Sequence, residues 1–241
     1  MPRFYCPQPL VPGTTIALPE AVAHHIAVVR LAPGELITLF NGEGGEVQAS
    51  IVSVAKRSVT AEVQAHLARE VELPYAVTLA QALPEASKMD WIIEKAIELG
   101  AAGIVPLAAQ RCVVRLSAER AEKKLAHWQA IIVSASEQSG RNRLARLAPL
   151  QEFNQWSRQQ DLHQRIILTP RAEQSLADWA RHRPPQALSV MVGPEGGFTE
   201  AEEKAAIAAG AIGLAMGPRI LRTETAGLSA LATLSALWGG M

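Results

Sequence analysis

Strand-like and helical segments alternate along the chain from about residue 73 onward, and this order constrains the fold more than any other feature of the sequence. The strand-like segments are short apolar runs at residues 76–80, 104–107, 165–168, 188–192 and 212–216. Helical segments stand between them, and a last helical segment covers residues 223–238. Because strands that alternate with helices pair side by side, the order predicts an α/β domain with a largely parallel sheet.

Two of the helical segments carry specific start and stop signals. Segment 88–99 ends before Gly100, a typical C-terminal cap, and it has one apolar face. The residues of that face are Met89, Ile92, Ile93, Ala96 and Ile97. Thr199 and Glu202 have the spacing of a capping box, which predicts a helix that begins at this point.

The first part of the chain, up to about residue 72, has a β-rich pattern instead. Three predicted strands cover residues 35–40, 47–54 and 58–63. The run Asn41–Gly45 between the first two strands is typical of a hairpin turn, and a short helix is predicted around residues 24–29. These features indicate a small β-barrel-like module.

The composition is that of a folded protein outside the membrane. The chain has 241 residues, of which 49% are hydrophobic, and this suffices for a buried core. No run of about 18 apolar residues is present, so we expect no transmembrane helix, and the N-terminus lacks the pattern of a signal peptide. Cys6 and Cys112 are too few for a disulfide framework or a zinc cage, which favours reduced thiols in a cytoplasmic protein. The histidines lack metal-ligand spacing, so we expect no metal.

The formal net charge is zero, which taken alone argues against a nucleic-acid partner, but the arginines are unevenly distributed. Three arginines and no acidic residue lie between Arg141 and Arg146. Arg219 and Arg222 also stand close together with no acid between them. RNA binding needs a local basic surface rather than a basic protein, although such clusters also occur on ordinary surfaces.

The run Gly193–Gly197 (GPEGG) follows a predicted strand and precedes a capped helix. Its glycines would let the backbone approach a ligand and adopt positive φ. A ligand-cradling loop and a simple tight turn explain this spacing equally well. The run is neither a Walker loop, because no Gly-Lys-Ser/Thr follows, nor a dinucleotide fingerprint.

The run Gly217–Thr225 (GPRILRTET) joins a predicted strand to the last helix. Thr223 as a cap and Glu224 in the first turn would be good helix-start chemistry. That interpretation leaves unexplained why Arg219 and Arg222 stand beside a glycine at the carboxyl end of a strand, where parallel sheets bind their ligands.

A long helix is predicted from Ser117 to a cap at Gly140, and it is followed by Arg141 and Arg143. Past the glycine we expect both arginines to be exposed. Cations at the negative end of the helix dipole explain them without any ligand, and we favour this over a phosphate contact.

Taken together, these runs resemble the RsmE family, the 16S rRNA uridine-N3 methyltransferases of the SPOUT superfamily. The resemblance covers nearly the whole chain, and its most specific parts are the GPEGG run and Leu221–Ala226 (LRTETA). The other matching positions are Lys95, Glu98-Leu99-Gly100, Arg111, Trp128, Glu137-Gln138 and Arg141. The N-terminal part resembles the family's PUA-like RNA-binding domain.

The resemblance implies a fold and an activity. The fold is α/β, with a C-terminal knotted (trefoil) SPOUT methyltransferase domain at residues 73–241 and an N-terminal PUA-like β-barrel domain at residues 1–72. General rules of chain connection give no reason to expect a knot, so it rests on the resemblance alone. The implied activity is methyl transfer from S-adenosylmethionine to a uridine of 16S rRNA in the small ribosomal subunit, by a cytoplasmic homodimer.

The resemblance also implies site residues. The cofactor-binding positions are Thr169, Gly193, Gly197, Met216, Gly217, Leu221, Arg222 and Thr225. The RNA-binding positions are Arg30, Arg111, Arg141 and Arg143.

Methylation at N3 requires the uracil to lose a proton, and the charge then spreads onto O2 and O4. A guanidinium would stabilise that charge. Our hypothesis assigns this role to Arg222, with Arg141 of a second subunit as the alternative and Glu224 as one candidate for the base.

The last helix is apolar on two sides, which favours a dimer independently of the resemblance; a central core helix of a monomer is the alternative. One face has the small residues Ala226, Ser229, Ala230 and Thr233 together with Leu237, and the other has Leu228, Leu231, Leu234 and Trp238. Two other functions stay open: a SPOUT methyltransferase with another RNA target, and a non-catalytic RNA-binding protein.

Overall fold

The computed structural model describes residues 1–55, 58–85, 87–159 and 163–240. The chain divides into two compact units. Unit 1 contains residues 1–72 together with residues 136–144, and unit 2 contains the remaining described residues. Within the described residues, no helix is both long enough and apolar enough to cross a membrane.

Unit 1 is built on a five-stranded sheet with the order β1-β3-β4-β5-β2. Its elements are β1 (Arg3–Tyr5), β2 (Thr15–Ala17), α1 (Glu20–Val28), β3 (Leu36–Phe40), β4 (Glu46–Ala55) and β5 (Ser58–Leu67). Strands β3, β4 and β5 pair antiparallel, and the hairpin turn predicted at residues 41–45 joins the first two, as expected. Strands β1 and β2, of three residues each, are too short for a periodic pattern and were not predicted.

The core of unit 1 lies between α1 and the sheet. Alternate residues of the strands point into it, for example Ile37 and Leu39 on β3, because successive strand residues face opposite sides. Helix α1 contributes Val22, Ala23 and Ile26. The predicted helix is confirmed, but it begins at Glu20, four residues before the predicted start.

Unit 2 contains a seven-stranded sheet in which all pairings are parallel. Its strands are β6 (Val77–Ala82), β7 (Gly103–Ala108), β8 (Arg146–Leu147), β9 (Gln151–Glu152), β10 (Gln164–Leu168), β11 (Leu188–Val192) and β12 (Ile212–Leu214). The order is β12-β10-β11-β6-β7-β8, with β9 also beside β7. The predicted parallel sheet is confirmed, and β10 and β11 stand next to each other near one edge.

The described helices after α1 are α2 (Lys88–Glu98), α3 (Ala118–Ser139), α4 (Phe153–Trp156), α5 (Leu176–Arg181), α6 (Glu200–Ala208) and α7 (Thr223–Trp238). All belong to unit 2, except that residues 136–139 of α3 belong to unit 1. The predicted apolar face of α2 is buried at every position, and Gly100 follows the helix with a φ of 85°. The capping box of Thr199 and Glu202 at the start of α6 is also confirmed. Helix α7 packs closely on the sheet at Gly227. A Cβ at this position would lie only 3.0 Å from Leu79 Cδ1.

Residues 136–144 of unit 1 contain the last residues of α3 and then Gly140, whose φ is 78°. Arg141 is buried there, and its Nε donates to Glu72 Oε1 at 3.0 Å while its Nη2 donates to Glu72 Oε2. The prediction that Arg141 is exposed is therefore wrong. A carboxylate that neutralises the guanidinium makes its burial possible, whereas Arg143 is exposed as predicted and pairs with Glu70 at 3.2 Å.

Candidate active site

Three loops of unit 2 surround a cavity of about 570 Å³ beyond the carboxyl ends of β10, β11 and β12. They are residues 169–171, 193–198 and 216–224. This is the edge at which open parallel sheets bind their ligands, and the volume is typical of a small-molecule site. The convergence of these loops on one cavity was expected from the sequence.

The cavity brings together most of the predicted cofactor-binding positions. The predicted residues that line it are Thr169, Gly193, Gly197, Met216, Gly217, Leu221 and Arg222. Thr225 is exposed and does not line the cavity, and its backbone N–H donates to Arg222 O at 2.9 Å within the first turn of α7.

The GPEGG loop is both a tight turn and part of the cavity wall. A Cβ at Gly193 would lie 2.8 Å from the backbone nitrogen of Phe198, so no larger residue fits without a shift of the loop. Gly197 has a φ of 65°, and its N–H donates to Pro194 O at 2.8 Å. The two interpretations of this run are therefore compatible, because the turn itself presents the backbone to the cavity.

Side chains from other elements hold the GPEGG loop. Glu195 Oε1 accepts from Lys88 Nζ at 2.6 Å and from the backbone N–H of Glu85 at 3.1 Å. Arg111 Nη1 donates to Gly196 O at 2.8 Å. Burial alone would raise the pKa of Glu195, but the hydrogen bonds from Lys88 and the Glu85 amide hold that pKa below its usual value. The carboxylate is thus ionised and bound at neutral pH.

Thr223 connects the start of α7 to the same loop. Its hydroxyl donates to Gly193 O at 2.6 Å and accepts from Gln81 Nε2 at 2.9 Å. The prediction that Thr223 caps the helix is wrong, since Arg222 occupies the N-cap position and makes no side-chain cap bond. The hydroxyl instead links the helix to two other elements, because the β11–α6 loop and β6 both pass beside the first residue of α7.

A second ion pair at the cavity was not predicted. Arg171 donates to both carboxylate oxygens of Glu203, with 2.6 Å from Nη2 to Oε1, and Thr169 Oγ1 donates to the same carboxylate at 3.1 Å. Glu203 follows the capping-box residue Glu202 in α6, and nothing in the sequence separates their roles. Lys88 was assigned only to a helix start, although that start follows the carboxyl end of strand β6, where parallel sheets bind their ligands.

The two catalytic candidates from the last run lie at the cavity and differ in exposure. The Arg222 side chain is 84% exposed, whereas that of Glu224 is 18% exposed. Arg222 Nη1 and Glu224 Oε1 are 4.0 Å apart, which is at the limit of an ion pair. The third candidate, Arg141, belongs to unit 1 and pairs with Glu72 there.

Comparison with known proteins identifies the family. Residues 71–235 match the family model of the RNA methyltransferase domain, and residues 18–64 match that of the RNA methyltransferase PUA domain. Ribosomal RNA small subunit methyltransferase E of Bacillus subtilis (strain 168) is 36% identical over 90% of this chain and 87% of its own length. The chain belongs to the RsmE family of ribosomal RNA methyltransferases.

Solved structures of RsmE-like proteins agree with this membership. A crystal structure of ribosomal RNA small subunit methyltransferase E from Neisseria gonorrhoeae bound to S-adenosyl methionine is 39% identical, with a TM-score of 0.92 over 99% of this chain and 98% of that one. The methyltransferase Lpg2936 from Legionella pneumophila, in complex with the cofactor, is 36% identical, with a TM-score of 0.92 over 97% of this chain and 96% of that one.

The predicted RNA-binding arginines of this RsmE-family chain lie in both units. Arg111 lines the cavity of unit 2. Arg30 is exposed in unit 1 just after α1, where its φ of 59° is unusual for a residue other than glycine. Arg143 is exposed in unit 1, but Arg141 is buried, so the four predicted residues are not equally available to RNA.

Proposed function

We propose that this chain transfers a methyl group from S-adenosylmethionine to N3 of a uridine in 16S rRNA of the small ribosomal subunit. The observation that carries the proposal is the single cavity into which the family's two most specific runs, 193–197 and 221–226, converge at the carboxyl ends of the strands. The two RsmE-like relatives whose structures include the cofactor support S-adenosylmethionine as the ligand.

The residues of the cavity fit such a cofactor. At Gly197 and Gly217, φ is positive and nothing lies within 4 Å of where a Cβ would stand, so both leave open space beside a bare backbone. Val192, Met216 and Leu221 give apolar surface that suits an adenine ring. When bound, the cofactor supplies an electrophilic methyl group on a positively charged sulfur.

We assign Arg222 the stabilisation of the uracil anion. Its guanidinium lies at the cavity and is exposed enough to reach a base that enters from outside. Removal of the N3 proton leaves negative charge on O2 and O4, and a guanidinium beside these atoms lowers the energy of that state. Glu224 is the candidate base, because its carboxylate lies in the same wall.

Arg141 stays a prediction as a catalytic residue contributed by a second subunit. Its pairing with Glu72 inside unit 1 favours a structural role instead. Arg30, Arg111 and Arg143 remain the arginines that we propose for RNA contacts, together with a PUA-like unit 1 as the RNA-binding domain. The proposed domains are residues 1–72 and 73–241, and the proposed location of the protein is the cytoplasm.

We propose a homodimer formed through α7. Leu228, Leu231, Leu234 and Trp238 are buried within unit 2. Of the opposite face, Ala226, Ser229 and Thr233 are only partly buried and Leu237 is 38% exposed, although Ala230 is buried. An apolar surface that its own unit leaves uncovered suits a symmetry mate.

A trefoil knot in unit 2 is proposed on the resemblance. It is supported by the path of the chain after β12, which leaves the edge of the sheet and returns through residues 216–222 to start α7 next to β11 and β6. The bond from Thr223 to Gly193 O fixes that return beside the GPEGG loop.

The decisive experiment is a methyl-transfer assay on small ribosomal subunits from a strain that lacks the endogenous enzyme. We expect labelled methyl groups from S-adenosylmethionine to appear on one uridine of 16S rRNA, at N3, and Arg222→Ala to abolish transfer while the protein stays folded. A methyl group mapped to another RNA or another atom would indicate a different SPOUT activity, and no binding of the cofactor even with RNA present would favour a non-catalytic RNA-binding protein.

A further inference from the structure

The acidic side chains of the cavity differ in how their charge is balanced. The carboxylates among the described lining residues belong to Glu195, Glu203 and Glu224. Lys88 Nζ lies 2.6 Å from Glu195, and Arg171 Nη2 lies 2.6 Å from Glu203. Each of these two carboxylates is therefore neutralised by a cation in direct contact.

Glu224 has no cation in such close contact, although the charge of Lys88, which pairs with Glu195, also acts on it from a longer distance. Its nearest cationic atom in an ion pair is Arg222 Nη1, at 4.0 Å from Oε1, on a side chain that is 84% exposed. The other oxygen, Oε2, is buried, and no hydrogen-bond donor of the described residues reaches it. The start of α7 favours a carboxylate at this position through its dipole, but a dipole does not replace a missing hydrogen bond to a buried oxygen.

The surroundings of the cavity are otherwise cationic. The basic side chains that line it are Lys88, Arg111, Arg171, Arg219 and Arg222. Two of them are used by Glu195 and Glu203, and Arg111 donates to the backbone at Gly196. Such a site suits the phosphates of an RNA but repels a positively charged small molecule, unless a negative charge inside the cavity offsets the repulsion.

We propose that Glu224 supplies this negative charge and makes the site prefer the positively charged cofactor to its neutral-sulfur product. The inference rests on the proposed function, and it adds a specificity-determining residue. S-adenosylmethionine and S-adenosylhomocysteine share the adenosine and amino-acid parts, and they differ in the methyl group and in the charge on sulfur. Methyl transfer removes that charge, so the attraction to Glu224 falls when the product forms, which favours product release.

This role is separable from that of a general base. A base acts only in the transfer step, when a uracil is present. Charge recognition acts in the binding of the cofactor, and it is measured without any RNA.

Calorimetric titration of the full-length protein with three ligands tests the proposal. The ligands are S-adenosylmethionine, S-adenosylhomocysteine and sinefungin, in which a carbon with a protonated amino group replaces the sulfur with its methyl group. We expect Glu224→Gln to weaken the binding of the two charged ligands about tenfold, as for the loss of a contact to a charged group. The same change should leave the Kd of S-adenosylhomocysteine within about twofold, because that ligand lacks the charge.

Two further variants act as controls. The double variant Lys88→Ala/Glu195→Gln removes a carboxylate of the same cavity together with its cation, so the net charge of the cavity is unchanged, and we expect it to weaken the binding of all three ligands by the same factor. Glu224→Asp keeps the charge but withdraws it by one methylene, so an intermediate preference is expected. Thermal unfolding of the ligand-free protein shows whether Glu224→Gln folds. If it does not, Glu224→Asp still tests the proposal.

Equal weakening of all three ligands in Glu224→Gln, or unchanged binding of S-adenosylmethionine, would overturn the inference and leave the proposed function standing. Failure of the unsubstituted protein to bind any of the three ligands, even when RNA is added, would instead overturn the proposed function, and the inference with it.

Discussion

Lys88 Nζ lies 2.6 Å from Glu195 Oε1, and this contact joins the start of α2 to the middle of the GPEGG loop. The hydrogen bond to Glu195 also raises the pKa of Lys88 above its ordinary value, so both partners are charged throughout the neutral range. A glycine-rich loop has many accessible backbone conformations, and a side chain tied at its centre reduces them before a ligand arrives.

We expect Lys88→Ala to weaken the binding of S-adenosylhomocysteine, whose sulfur carries no charge, by up to about fivefold, since the pair is partly exposed to solvent. Without Lys88 the GPEGG loop is less ordered before the ligand arrives, and the free energy needed to order it then reduces the free energy of binding. Calorimetry of Lys88→Ala, Glu195→Gln and the double variant checks this, and the double variant should bind no worse than the weaker single one. Lys95→Ala is the matched control, because Lys95 pairs with Glu94 and Glu98 and does not line the cavity. Equal effects of Lys88→Ala and Lys95→Ala would contradict the assignment.

Gly193 can be tested by adding a single methyl group. Its Cβ would lie 2.8 Å from the backbone nitrogen of Phe198 and 3.0 Å from Gly197 Cα, and backbone atoms cannot rotate away. We expect Gly193→Ala to cost about 1–3 kcal/mol of unfolding free energy and to abolish detectable cofactor binding. Gly213→Ala is the control, since its Cβ would make ordinary contacts at 3.6 Å. Urea denaturation measures the stability, and a Gly193→Ala protein as stable as Gly213→Ala would show that the loop is more adaptable than its geometry indicates.

Thr223 is only 5% exposed, and its hydroxyl both donates and accepts a hydrogen bond. Thr223→Val keeps the shape but leaves Gly193 O and Gln81 Nε2 each without one partner. We expect a loss of about 1–3 kcal/mol in unfolding free energy, and Thr223→Ser should recover most of it. If Thr223 only capped the helix, its replacement by a residue that cannot cap would lower the unfolding free energy by about 1 kcal/mol. A valine variant that unfolds at the same urea concentration as the serine variant would argue against the hydroxyl's role.

The buried thiols give a prediction on pH. Burial raises the pKa of the Cys6 thiol to about 11, and burial is also the main reason that the pKa of Cys112 is raised. Because the thiolate is the reactive form, a higher pKa means less thiolate at a given pH, about 0.1% for Cys6 at pH 8. We expect neither cysteine of the folded protein to react with a thiol reagent between pH 7 and pH 8, and both to react in denaturant. Rapid stoichiometric labelling of the folded protein, followed by mass spectrometry, would contradict this.

Local patterns predicted the elements of the fold, and distant contacts account for what the sequence did not show. The buried face of α2 and the capping box of α6 were predictable because periodicity and capping act within a few residues. The partners Gln81 and Thr223 are 142 positions apart, and no local rule connects them. The spacing of the GPEGG run fitted a ligand loop and a tight turn equally well, and the ion pair that fixes the loop depends on where α2 begins.

Arg141 shows the same limit, and it gives the last prediction. Glycine at position 140 correctly predicted the end of α3, but a local rule places the following arginines in solvent, whereas Glu72, 69 positions away, binds the first of them. The Arg141 side chain is 4% exposed and that of Glu72 is 19% exposed, so the pair is largely removed from water.

We expect Arg141→Ala to lower the unfolding free energy of the free protein by about 3 kcal/mol, because it leaves a carboxylate of low exposure without its cation. Arg141→Lys should not restore the loss, since an ammonium cannot bind both carboxylate oxygens as the guanidinium does. Arg143→Ala is the control. Arg143 is 55% exposed and its pair with Glu70 should contribute under about 1 kcal/mol. Urea denaturation without RNA separates the possibilities: a stable Arg141→Ala protein that has lost only RNA binding would return Arg141 to the role of an RNA contact.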